Sequence, residues 1–276
     1  MRRSALMAAI AMVVTGCDAA TPSSPDAVAS GTAATPPSEP AIAAPQAKAT
    51  AAPAKGRSVD VDTEAYDFSY SYPAKAAAIP GLQSLLDQRL SGAQAELVAS
   101  AKKDQAEAAK DGYPYRPHSS GAKWQVVADL PRWLSLSAEL YDYSGGAHGM
   151  TYFDGLLWDR EQNLARQASD LFISKAALSS VLREPFCALL DKERAKRRGE
   201  PVNRNSGDQF DECIDPAEHT VILGSSNGRT FDRIGVLVEP YAAGAYAEGT
   251  FDITLPVTRA ILGSVKPVYR SAFSAK

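Results

Sequence analysis

Few residues in this chain could carry acid, base or ligand chemistry, and they are scattered. The three histidines, His118, His148 and His219, share no H-x-x-x-H or comparable ligand spacing. No zinc site is expected, and no other metal or cofactor. His148 stands beside Gly145, Gly146 and Gly149. An imidazole there either faces a ligand whose backbone approaches closely, or bonds a neighbouring carbonyl or carboxylate while the glycines supply positive-φ turn geometry. Glu139, Asp142, Asp154 and Asp159 flank the same stretch. Glycoside hydrolysis needs two carboxylates about 5–10 Å apart, and these four are the candidates for it. The alternative is that they are solvated or capping groups near strand ends. A serine hydrolase needs a strained Gly-x-Ser-x-Gly elbow, which Gly224-Ser225 and Gly263-Ser264 both lack. No complete catalytic set is expected.

Three further groups have recognisable chemistry. Cys187 and Cys213 lie 26 positions apart. With no histidine at ligand spacing, they are expected to form a disulfide in an oxidising compartment. The run Lys192 to Arg198 holds five basic residues. It either complements a helix C-terminus or contacts anionic headgroups or wall polymers. The tyrosines and tryptophans at Tyr66, Tyr70, Tyr72, Trp133, Tyr141 and Tyr143, with Phe68, form either a packed sheet face or a binding face.

Hairpins must position these groups. Tyr66 to Tyr72 alternates strictly and predicts a half-buried strand. From Pro80 the positions Leu82, Leu85, Leu86, Leu90, Ala93, Leu97 and Val98 fall on one helical face. That pattern fades beyond Ala101 and is stopped by Gly112 and Pro114. Strands are predicted over Trp124 to Leu130, Trp133 to Tyr143 and His148 to Trp158, with Gly145-Gly146 as the turn between the last two. Ser174 is placed to cap a helix that passes Pro185 and ends near Arg198. A second hairpin, Thr220 to Leu223 with Phe231 to Val238, is followed by a strand from Phe251 to Leu255 and a short helix from Val257. Hairpins with helices segregated between them predict an α+β fold. Its antiparallel sheet carries one long N-terminal helix and a second helix in the C-terminal half.

The 276 residues carry 29 Lys and Arg against 32 Asp and Glu, a net charge of -3. That balance argues against nucleic acid as the main partner. The chain opens with Arg2-Arg3 and an apolar run from Ala5 to Val14, too short to cross a bilayer and suited to a secretory signal over residues 1–16. Val14-Thr15-Gly16-Cys17 resembles the lipobox of bacterial lipoproteins. The resemblance implies cleavage before Cys17, its acylation, and attachment to a bilayer. Asp18 resembles an inner-membrane retention signal of some Gram-negative lipoproteins, so a periplasm-facing membrane lipoprotein is expected, with inner membrane favoured over outer. Residues 17–56 form an extended tether: Asp18 to Gly56 counts 14 Ala and 7 Pro in 39 residues, too little apolar surface to fold.

Several motifs together resemble a bacterial cell-envelope family that joins a PdaC-like module to an RsiV-like module. Tyr143 to Gly149 followed by Tyr152 to Leu156 resembles its "Y-x-G-G-A-H-G" core. Asp170-Leu171-Phe172, then Tyr241, Tyr246, Ala247 and Gly249, then Leu255-Pro256, follow in the family's order. The resemblance spans roughly Asp60 to Leu262 and places the modules at 57–163 and 164–276. It implies a monomeric, non-catalytic extracytoplasmic binding module. Members stand alone in lipoproteins, precede peptidoglycan-deacetylase domains, or form the outer domain of a lysozyme-sensing anti-sigma factor. No deacetylase or cytoplasmic anti-sigma segment is expected in this chain. The implied partner is lysozyme or peptidoglycan fragments, and the expected contact surface is Tyr141, Tyr143, Gly145, Gly146, His148 and Tyr152. The rival expectation is a wall-glycan hydrolase working through Glu139, Asp142 and Asp154.

Overall fold

The computed structural model describes residues 54–276. The signal segment, Cys17 with its acylation, Asp18 and nearly all of the tether lie outside the described residues. Among the described residues nine strands form two sheets. The larger runs in the order β1 (Arg57–Asp62), β2 (Tyr66–Tyr72), β3 (His118–Asp129), β4 (Trp133–Tyr143), β5 (Met150–Asp159) and β6 (Leu164–Arg166). The smaller holds β7 (Thr220–Gly224), β8 (Arg233–Val238) and β9 (Phe251–Pro256). The helices are α1 (Ala74–Ala77), α2 (Pro80–Asp111), α3 (Lys175–Arg198) and α4 (Arg259–Ser264). The mixed α+β class follows as the sequence predicts.

Alternation sends Phe68, Tyr70 and Tyr72 of β2 into one core, where Leu82, Leu86 and Leu90 of α2 meet them. Burial pushes the Tyr70 phenol up to about 12, so it stays neutral and accepts the Trp124 Nε1–H at 2.9 Å. The sequence predicts an antiparallel sheet, and one pair departs from this: β2 and β3 run parallel. The reason is α2, a 32-residue crossover long enough to return the chain to the same end of the sheet. Its weak second half is still helix. Ala101 and Ala108 are buried seven residues apart, so the stripe continues in alanine where leucine had marked it. Gly112 ends it in the left-handed region. The edge strand β1 carries only a two-valine alternation, Val59 and Val61 between Asp60 and Asp62; both valines pack against the α2 core, and pairing with β2 completes the strand.

β4 is buried on both faces from Trp133 to Ala138. Leu134, Leu136 and Ala138 join the α2 core, while Trp133 joins the second core, with α3 and the smaller sheet. A bulge between Val126 and Ala128 in β3 inverts the alternation. Trp124 therefore packs toward α2 and Ala128 into the second core. Beyond Ala138 β4 is no longer buried on both faces, and the tip of the β4–β5 hairpin meets the segment that follows β8.

Asp159, at the end of β5, is fully buried. Burial pushes its carboxyl up, but the Arg132 guanidinium at 3.1 and 2.7 Å and the amides of Gln162 and Glu161 outweigh this, leaving it below the usual range. This carboxylate, a candidate catalytic group by sequence, holds the β5–β6 turn. Its contribution to stability is present at neutral pH and is lost as pH falls below about 4, through the lowered native value. Asp159→Asn is expected to cost about 1–3 kcal/mol at neutral pH. Denaturant titrations of the two proteins should converge as the pH drops; curves that stay parallel would remove Asp159 as the source of acid sensitivity.

Candidate functional site

The β4–β5 hairpin carries the expected surface. Its turn needs two positive φ angles, 86° at Gly145 and 102° at Gly146. The Gly146 carbonyl is pinned by Arg116 Nη1 at 2.7 Å and by the Tyr143 hydroxyl at 3.2 Å. His148 Nδ1 lies 3.0 Å from the Gly149 carbonyl. A carbonyl only accepts, so Nδ1 carries the proton, and Nε2 lies 3.2 Å from the Tyr241 hydroxyl. The Tyr246 ring stacks on His148 with centroids 3.7 Å apart, and its hydroxyl donates to the Gly149 carbonyl at 2.9 Å. Tyr241 lies 5.5 Å from Tyr246 and holds φ 69°, unusual for a residue with a side chain.

Tyr141 completes the cluster. A Cβ on Gly149 would stand 2.3 Å from its ring, so the ring occupies space that only glycine leaves. Tyr141 and Tyr241 remain 41% and 48% exposed. Tyr141 also borders a trough of about 390 Å³ along Asp60, Ser69, Ser119 and Gly121. Gly149→Ala moves only the outer end of a surface ring, so a stability loss of under about 1 kcal/mol is expected. Thermal unfolding within a few degrees of the parent, together with a changed tyrosine environment in near-UV dichroism, would show this. A drop of many degrees would mean that the backbone had moved instead.

Of the six expected contact residues, the structure brings Tyr141, Tyr143, Gly145, Gly146 and His148 together. Tyr152 departs from them. It pairs with Leu140, whereas Tyr141 pairs with Thr151, so their side chains project to opposite faces. Tyr152 borders a separate polar pocket that includes His219 and Glu239, which lie 3.3 Å apart. Tyr241 and Tyr246 pack with His148 and are not among those six. Their shared spacing with Ala247 and Gly249 was the available signal.

The segment carrying them is held from α3. Arg194 Nε donates to the Ala243 carbonyl at 2.7 Å and Nη1 to the Glu212 carbonyl at 2.9 Å. Arg197 donates to the carbonyls of Glu248 and Thr250. Arg198 pairs with Glu248 at 3.0 Å and Asp211 at 2.6 Å. Three of the five basic residues in the run thus clamp the tyrosine segment, while Lys192 and Lys196 are exposed. Cys187 and Cys213 form the expected disulfide, which ties the segment bearing Asp211 and Glu212 to the same helix.

The carboxylates do not converge. Asp142 pairs with Met150, and Asp154 with Ala138. Four residues of β4 therefore separate them, roughly 13 Å. Asp154 is taken by Arg89 at 2.6 Å, Glu139 lies on the opposite face, and Asp159 is buried. His118 is buried beside Asp104, 3.3 Å away. Among the described residues no group of three or more His, Cys, Asp or Glu could hold a metal ion.

Residues 59–151 match the family described as Deacetylase PdaC. That stretch runs from β1 to the start of β5 and includes the Gly145-Gly146 turn. A DUF3298 family member from Bacteroides fragilis is similar in structure, with 16% identity and a TM-score of 0.48 over 74% of this chain and 90% of that one. A DUF3298 family protein from Pseudomonas aeruginosa PAO1 has 15% identity and a TM-score of 0.44 over 82% and 99%. No curated protein matches the chain.

Proposed function

Taking as premise a chain that carries a PdaC-like module at residues 59–151, we propose that it is a lipid-anchored extracytoplasmic protein that binds a cell-envelope component, lysozyme or peptidoglycan fragments, without turning it over. The observation that carries this reading is the half-exposed aromatic cluster of Tyr141, His148, Tyr241 and Tyr246. Tyrosine offers a large contact area with little rotamer entropy to lose, and its ring face suits the apolar face of a sugar or of a partner side chain. The cluster is also preorganised. His148 is held at both ring nitrogens, and the strained Tyr241 backbone is fastened through Arg194 and Arg197, as expected where positioning serves recognition. In this reading acyl chains on Cys17 hold the protein at the periplasmic face, and the Ala/Pro-rich segment extends a monomeric domain from it. Among the described residues no helix is long and apolar enough to cross a membrane. The spread of the carboxylates weighs against the hydrolase alternative.

The test is calorimetric titration of the protein with c-type lysozyme and, separately, with muropeptides. Saturable binding to one of them is expected, weakened about tenfold to thirtyfold by Tyr241→Ala. Gly149→Ala should weaken it too, by displacing Tyr141. Silence toward both partners overturns the reading, as does binding indifferent to these substitutions. Muropeptide cleavage would move the assignment to the hydrolase.

A further inference from the structure

On the face of the larger sheet that meets α2 lies a second feature, a groove of about 540 Å³, within the size range of small-molecule sites. Leu82, Leu86 and Leu90 fill the first part of the helix–sheet interface. Further along, Ala93 of α2 faces Ser120 and Ala122 of β3, and these small side chains leave the space open. Trp124 and Tyr70 line it, fixed to each other by their hydrogen bond. Arg89 lies 5.3 Å from the centre of the Trp124 ring and is neutralised by Asp154. His118 is engaged by Asp104 and Ser100. Two lining carboxylates are left over: Glu96 on the helix and Asp142 on β4. Neither has an ion-pair partner among the described residues.

We propose that this groove binds an aliphatic amine, an ammonium group on a short alkyl stem, with Glu96 and Asp142 meeting the charge and Trp124 and Leu97 the stem. Charge selects the class. Once Arg89 and Asp154 cancel, the lining is negative, so an anion is repelled. A neutral polyol hydrogen-bonds the two carboxylates but leaves their charge uncompensated, whereas an ammonium restores neutrality and is attracted to the face of an aromatic ring. The site lies on the opposite side of the sheet from Tyr141, so it stands or falls independently of the tyrosine cluster.

Three five-carbon probes that differ in their end groups test this by titration: 1,5-diaminopentane, 1,5-pentanediol and glutarate. Nα-acetyl-lysinamide, in a fourth titration, distinguishes a lysine-like side chain from a free diamine as the source. Saturable binding is expected for one or both amines and for neither of the other probes. The double substitution Glu96→Gln with Asp142→Asn changes two exposed groups isosterically and should weaken it about tenfold. Ala93→Leu keeps both carboxylates, fills the groove and should abolish binding, with thermal unfolding confirming that the fold persists. Absence of amine binding overturns the proposal. Equal binding of the diol does so too, as does amine binding unchanged in both variants.

Discussion

Arg194→Ala is expected to remove about 3–5 kcal/mol of stability, since it withdraws a charged donor from two backbone carbonyls at about 1.5–3 kcal/mol each. The guanidinium is completely buried. Desolvation pulls its pKa down against the opposing pull of Asp191, yet its donors still join three separate segments. The Ala243 and Glu212 carbonyls would lose their donor and find no water in its place. Arg194→Met refills the volume without the donors, so a similar loss in both variants would assign the effect to hydrogen bonding rather than to a cavity. Urea titration measures the loss. A change of less than about 1 kcal/mol in both would show that the tyrosine segment holds its place without this anchor. Because Ala243 lies between Tyr241 and Tyr246, any partner that uses the cluster should also bind more weakly in these variants at temperatures where they are folded.

Replacing Cys187 and Cys213 together by alanine is expected to cost about 3.5 kcal/mol, from the chain entropy released when a 26-residue loop opens in the unfolded state. For a domain of this size that lowers the unfolding temperature by roughly 7–14 °C. The native state contributes as well. The bridged segment presents Asp211 to Arg198 and the Glu212 carbonyl to Arg194, so the two losses share partners and should not add. Calorimetry of the cysteine variant, the arginine variant and their combination measures the coupling. Strict additivity would mean that disulfide and guanidinium hold the segment independently.

How far the site could be read from sequence depends on the range of the signal. The turn at Gly145-Gly146 was legible because only glycine tolerates its φ values, and the His148 hairpin followed from it. The link between that hairpin and Tyr241 was not legible. His148 and Tyr241 are 93 residues apart, and the buried residues between them divide between the two cores, with no periodicity that specifies the contact. Arg194 is a different case. It continues the series Leu178, Leu182, Phe186, Leu190 at the core-facing spacing of four, which marks it for burial. Its place in a run of charges pointed instead to a solvated helix end. Tyr152 misled in the opposite way, since proximity in sequence hid the face change that each strand residue imposes.

The sequence by itself determined what depends on a few neighbouring residues. Those features are the alternation of β2, the leucine stripe and left-handed stop of α2, the Ser174 cap of α3, the glycine turn, and the two cysteines available to pair. Local dihedral preference and side-chain period suffice for each of them. Tertiary structure alone decided the parallel β2–β3 pairing, the separation of the carboxylates, and the use of three arginines to hold a tyrosine segment against a distant hairpin. Each of these is a competition among long-range contacts for the same buried space, settled by packing between elements and written in no single stretch of the chain.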